Sequence, residues 1–213
     1  PTRRSSDLGN PLKGKAPLLV SALMYTNPMM IYFGQELGEK GMDAEGFSGE
    51  DGRTTIFDYW TVDTIRRWRN NGKFNQKLLT EDELSLQEYY AKVLNICNSS
   101  EAVREGEFYD LMYVNPQLQK QYTFVRHSEK ETLLVIANFA SQDTEITINV
   151  PEHLFEYYGI KENTACEWTD LLSGSQITTA FSSNMPTKLN VPSWGGCILK
   201  MKSVKKAGKK TKS

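Results

Sequence analysis

Apolar positions along this chain follow two different rhythms. In the first hundred residues they recur every three or four positions or gather in compact blocks, whereas beyond Gly106 they form short beta-rich segments parted by turn-forming residues. Residues 17–25 are an apolar run behind a proline suited to a first helical turn, which predicts a short buried helix ended by Asn27 and Pro28. Residues 29–33 form a block of strand length between Pro28 and Gly34, which predicts a buried parallel strand. The Gly- and acid-rich stretch 34–60 is too long for an ordinary connection and reads as a functional loop. Thr80 and Glu83 make a capping box, and Leu86, Tyr89, Tyr90, Val93, Ile96 and Cys97 repeat on one helical face.

After Gly106, strands are predicted over 108–114, 122–126, 132–138, 144–150, 188–191 and 197–201, the pattern of an antiparallel β-sandwich. The class is therefore α+β. Residues 1–8 read as a non-native leader, 9–105 as a helix, strand and helix of an α/β unit with a long loop, 106–202 as the sandwich, and 203–213 as a disordered basic tail.

Composition narrows the function. With 39% apolar and 11% aromatic residues, the 213-residue chain can build a packed core. No apolar run approaches the roughly 20 residues of a spanning helix, so no membrane span is expected. The net charge of −1 hides a contrast: seven lysines and no acid lie in residues 200–213, while the body between the two termini carries roughly −9, a poor nucleic-acid surface. Cys97, Cys166 and Cys197 lack paired spacing, so no metal site is expected, and Cys97 and Cys197 are read as packing residues. His127 and His153 are isolated, each in the setting of a strand end or loop.

Four blocks carry a resemblance. Pro28 to Glu39 reads Pro-Met-Met-Ile-Tyr-Phe-Gly-Gln-Glu-Leu-Gly-Glu; Asp51 to Trp60 reads Asp-Gly-Arg-Thr-Thr-Ile-Phe-Asp-Tyr-Trp; residues 98–109 run Asn-Ser-Ser-Glu-Ala-Val-Arg-Glu-Gly-Glu-Phe-Tyr; and Thr132 to Phe139 is followed later by Trp168 to Gly174. In this order they resemble the alpha-amylase family, glycoside hydrolase family thirteen, in its Bacteroidetes-like bacterial form. The resemblance implies a C-terminal fragment of a TIM (β/α)8 barrel followed by an antiparallel β-sandwich, with Gly34, Glu36 and Gly38 as the Gly-x-Glu-x-Gly turn after the eighth barrel strand.

Substrate-cleft candidates implied by the resemblance are Gln35, Glu36, Arg53, Asp58 and Trp60: a planar ring to stack on a sugar, and polar groups for its hydroxyls. For each residue the competing reading is a buried pair or core filler. Glu39, Asp43 and Glu45 are assigned to architecture or cleft lining. The family's catalytic Asp, Glu and Asp lie on strands before this segment, so no catalytic residue is expected here and the fragment alone should be inactive. The parent is read as a retaining hydrolase of α-1,4-glucosidic bonds in an α-glucan or maltodextrin, or a related transglycosylase. A non-catalytic carbohydrate-binding or structural module is the competing class, resting on the terminal sandwich with Trp168 and Trp194. The fragment needs no cofactor, calcium is an expectation for the parent alone, and the missing barrel is its partner. The compartment stays open between bacterial cytoplasm and periplasm.

Overall fold

The structure is a computed structural model describing residues 10–39 and 62–202. A 3-10 turn, Pro11–Gly14, opens it, capped by the Asn10 side chain, which accepts from the Leu12 N–H at 2.9 Å. It leads into α1, Lys15–Leu23, with Pro17 in the first turn as the sequence predicts. Leu18, Leu19 and Leu23 are its buried face.

The chain then departs from the expected course. Residues 29–32 have no regular secondary structure and Phe33 begins a turn, so the block pairs with no strand among the described residues, and Met30 is 82% and Phe33 38% exposed. Met29 and Ile31 turn toward the helices and are partly buried. The block has the apolar content of a central strand, but a parallel strand needs neighbours on its edges, and none is supplied here.

The helices α2, Asp63–Arg69, α3, Glu81–Ser99, and α4, Glu101–Arg104, follow. The capping box at the start of α3 is formed: the Glu83 N–H donates to Thr80 Oγ1 at 3.3 Å, and the Thr80 N–H to Glu83 Oε2 at 2.9 Å. Of the predicted face, Leu86, Tyr90 and Val93 are buried, while Tyr89, Ile96 and Cys97 are partly covered.

Strands β1, Glu107–Asp110, β2, Gln121–His127, β3, Thr132–Asn138, and β4, Thr144–Ile148, come next. Helix α5, Glu152–Tyr158, intervenes before β5, Asn163–Asp170, β6, Gln176–Phe181, β7, Thr187–Val191, and β8, Gly196–Met201. One sheet has six strands in the order β1-β2-β3-β8-β5-β6, and β4 pairs with β7 in a second; every pairing is antiparallel.

The predicted strand 108–114 is shorter than expected. The Asp110 carboxylate accepts from the Met112 N–H at 2.8 Å, and a 3-10 turn, Met112–Val114, takes over. The segment 144–150 likewise stops at Ile148. Helix α5, β5 and β6 were not anticipated. Residues 168–170 end β5, and 171–175 make the turn into β6.

Two apolar layers hold these parts together. Between the sheets, Leu134 and Ile136 of β3 meet Trp168, Phe181, Ile148 and Val191, with Leu154 and Phe155 of α5 closing one end. On the other face of the large sheet, Phe124, Leu133, Val135, Ala137 and Ile198 pack against Leu19, Leu23, Leu86 and Val93 of α1 and α3. All seven residues of β3 are therefore buried, which accounts for its unbroken apolar run: a strand covered on both faces has no reason to alternate.

The helical and stranded parts are also joined by polar contacts at Gly106. Arg126 of β2, only 2% exposed, donates to the carbonyl oxygens of Ala102 at 3.0 Å, Val103 at 3.0 Å, Gly106 at 2.7 Å and Met24 at 2.9 Å. A side chain on Gly106 would meet the Ala102 and His127 carbonyls at 2.4 Å, so only glycine lets β1 start this close to α4.

Candidate functional site

The turn after residue 33 is built by two glycines. Gly34 and Gly38 have φ of +73° and +72° and flank the single 3-10 turn Gln35–Leu37. A Cβ on Gly34 would lie 2.7 Å from Glu39 Cβ, and one on Gly38 2.4 Å from Pro11 Cβ. Both positions therefore require glycine for backbone conformation and for space. The Leu37 and Glu39 N–H groups both donate to the Gly34 carbonyl, at 3.1 and 3.0 Å, which fixes the path of the loop.

Within this turn Gln35 is a brace. Its Oε1 accepts from the Tyr32 N–H at 3.1 Å and its Nε2 donates to the Tyr90 hydroxyl of α3 at 3.0 Å, so both ends of the amide are engaged inside the protein. Glu36 lines a cavity of about 530 Å³ together with Phe33, Ile65, Trp68, Tyr90 and Leu94. Burial pushes its carboxyl above the usual range, against a hydrogen bond from the backbone. Glu39 is buried and accepts a short hydrogen bond from Thr64 Oγ1, in keeping with an architectural assignment.

The far wall is positioned by α2 and α3. Arg67 forks onto Glu83, its Nε lying 3.1 and 3.0 Å from the two carboxylate oxygens and its Nη2 bonding Oε1. Burial alone would raise the Glu83 carboxyl; the bonds from Arg67 and Thr80 outweigh it and hold the group below the usual range. The same contact raises Arg67. One residue thus caps α3 and fastens α2 to it, which places Trp68 over the cavity, edge-on to Phe74 at 5.3 Å between ring centroids.

Gln35 and Glu36 are brought together beside this cavity. Arg53, Asp58 and Trp60, with Asp43 and Glu45, lie outside the described residues. Ile65, Trp68 and Leu94 were not singled out by sequence; a 3.6-residue period marks a helix face as apolar but does not say whether it faces a core or a cavity. Among the described residues the cavity offers aromatic and aliphatic walls and one carboxyl, Glu36. That can hold the flat face of a ring and accept a hydroxyl, and among the described residues no second carboxyl lines it to make the pair that glycoside cleavage needs.

The remaining candidates are structural. Trp168 is fully buried between the sheets, edge-on to Phe181 at 5.1 Å, and Trp194 is half-buried with Lys13 Nζ 5.0 Å from its ring, so neither is an open sugar platform. Burial pushes the thiols of Cys97 and Cys166 up to about 11 and that of Cys197 to about 12, the chemistry of packing residues. His127 ends β2 with Nδ1 2.9 Å from Thr132 Oγ1, and burial lowers its pKa. His153 lies on α5 and not at the strand end or loop that its neighbours implied. Among the described residues no group of three or more His, Cys, Asp or Glu is arranged to hold a metal ion, and no helix is long and apolar enough to cross a membrane.

No family model and no curated protein matches the chain. Solved structures do. AmyP in complex with maltose aligns over 89% of this chain and 34% of its own, at 14% identity and a TM-score of 0.59. The alpha-amylase GTA from Geobacillus thermoleovorans, complexed with acarbose, aligns over 95% and 37%, at 14% identity and a TM-score of 0.57. Isomaltulose synthase from Klebsiella sp. LX3 aligns over 94% and 38%, at 20% identity and a TM-score of 0.53. The chain spans little more than a third of the length of each. What it has in common with them is the fold: a helical segment leading into the C-terminal β-sandwich region of alpha-amylase structures.

Proposed function

We propose that this chain is the C-terminal part of a retaining α-glucan hydrolase of the alpha-amylase type, contributing the end of the barrel and the following sandwich. The observation that carries the reading is the glycine-flanked turn Gln35–Leu37 with Glu36 beside an aromatic-walled cavity, in a chain nearly all of which aligns with a little over a third of an alpha-amylase structure. Fold likeness alone would not assign an activity. It gains weight because those structures were solved with maltose and acarbose bound. The turn resembles the family's own in wording and has the two left-handed glycines such a turn demands.

In this reading the catalytic Asp, Glu and Asp belong to strands upstream of residue 9, and Glu36, with Arg53, Asp58 and Trp60, borders the far end of the cleft. Calcium, where the parent uses it, is held by that upstream part. The exposed Met30, Phe33 and Phe74 then mark the face that the rest of the barrel covers. A glucan transglycosylase is the second reading, favoured by the likeness to isomaltulose synthase.

The test joins this chain to its upstream sequence. The restored enzyme is expected to hydrolyse maltodextrin with retention, and the 213-residue chain alone to show no turnover. Trp60→Ala should lower kcat/KM by about 1–3 kcal/mol equivalents with melting unchanged. Turnover by the chain alone, or an upstream sequence without the paired carboxyls, would overturn the reading.

A further inference from the structure

Far along the chain from the Gly34 turn, β1 and α5 gather a second set of aromatic side chains. Tyr109 of β1 lies at its centre, with its ring 6.4 Å from Tyr113, 6.0 Å from His153 and 6.0 Å from Tyr158. His153 and Tyr157 stack at 5.9 Å with 21° between their planes, and Tyr157 adjoins Tyr158 at 5.1 Å. None of these rings lines the cavity beside Glu36.

Tyr113, His153 and Tyr157 are open to solvent, while Tyr109 and Tyr158 are partly buried against the sandwich core and hold the set in place. Tyr113 is 62% and Tyr157 58% exposed. The Tyr109 hydroxyl lies 2.9 Å from the Tyr113 hydroxyl and 3.0 Å from His153 Nδ1. A chain in which Tyr113 donates to Tyr109 and Tyr109 to Nδ1 satisfies all three groups and leaves the His153 Nε2–H for an outside acceptor. Planar faces fixed before a ligand arrives lose little entropy when it docks.

Charge selects the ligand. Glu107, Tyr157 and Tyr158 also line a cavity of about 630 Å³ whose other walls include Glu101, Glu105 and Glu129, and no Lys or Arg is among its lining residues. Lys130 pairs with Glu101 and Arg104 with Glu105, so the remaining acidity of the wall comes from Glu107 and Glu129; these two disfavour phosphate, sulfate and uronic acid groups and accept hydrogen bonds from neutral hydroxyls.

We infer that the ledge formed by Tyr109, Tyr113, His153, Tyr157 and Tyr158, with Glu107 beside it, binds a neutral oligosaccharide chain. Tyr113 and Tyr157 stack on sugar rings, and Glu107 and His153 bond their hydroxyls. The choice of an α-glucan as that chain rests on the function proposed above.

Titrating the 213-residue chain with maltoheptaose tests it, followed by NMR or calorimetry. Tyr157→Ala and Tyr113→Ala should each weaken binding about tenfold, while Tyr157→Phe, which keeps the ring, should stay within about threefold. Both positions are exposed, so unchanged unfolding curves should accompany the loss. No binding by the unaltered chain to maltoheptaose or cellohexaose, equal binding by the alanine variants, or binding of spermine in place of any sugar would overturn the ledge. Binding of cellohexaose but not maltoheptaose, lost in the same variants, would uphold the ledge and overturn the α-glucan reading.

Discussion

The two faces of the six-stranded sheet are covered in different ways. Toward β4 and β7 the layer is closed: Leu134, Ile136, Trp168, Phe181 and Val191 are all fully buried, and α5 seals an end. Toward α1 and α3 the helices are covered where they touch the sheet, but the segments beyond them are not, and Met30, Phe33, Phe74 and Leu78 stand in solvent. The lesson is that apolar sequence alone does not make a core. The sandwich supplies both halves of its interface, while among the described residues the helical region leaves these apolar side chains uncovered.

Substitutions should separate the two. The largest effect belongs to Trp168→Ala, which empties the closed layer and should cost about 3–5 kcal/mol in urea unfolding. Arg126→Met should follow at about 3 kcal/mol, because four carbonyls that meet where α1, α4 and β1 converge lose their donor. Equal stability would mean that the guanidinium only fills space. Gly34→Ala should cost about 1–3 kcal/mol, from the left-handed backbone and the contact with Glu39. Met30→Ser, on the open face, should change stability by less than about 0.5 kcal/mol but reduce self-association in sedimentation.

A pH series sharpens the comparison within the helical region. The folded-state pKa of Glu83 lies below its ordinary value of 4.5, so its pairing with Arg67 stabilises the fold above that value and is lost as pH falls through the lower, folded value. The melting-temperature gap between the parent chain and Glu83→Gln should be full near neutrality and close on acidification. A gap that persists in acid would show that the carboxylate charge plays no part.

Much of this fold was legible in the sequence, and the gaps have physical causes. The run Thr132–Asn138 and the capping box at Thr80 were readable because every local signal agreed there. Strand β5 was missed because its first half is exposed and its pairing with β6 shifts register between Asn163 and Cys166, which confines the inward-outward alternation to a short stretch from Cys166 to Asp170. Helix α5 spans only seven residues, too few for periodicity, although Gly159 with φ +64° marked its end. At the site, the glycines of the turn were visible as wording, but the brace from Gln35 to Tyr90 joins residues distant in sequence. Arg126 went unread because its partners are all backbone carbonyls, which have no signature in sequence.

The placement of β8 bears on how the protein is made. This strand, near the end of the chain, occupies the middle of the large sheet between β3 and β5, and the Ala16 N–H donates to the Trp194 carbonyl just before it. As the polypeptide leaves the ribosome, β3 and β5 are each an open edge until β8 emerges to join them. The sandwich therefore closes late, through contacts between residues far apart in sequence, which slows the final step and lengthens the time during which bare edges can recruit other chains. Loss of residues 196–201 would remove the sheet's keystone and divide it into two separate pieces.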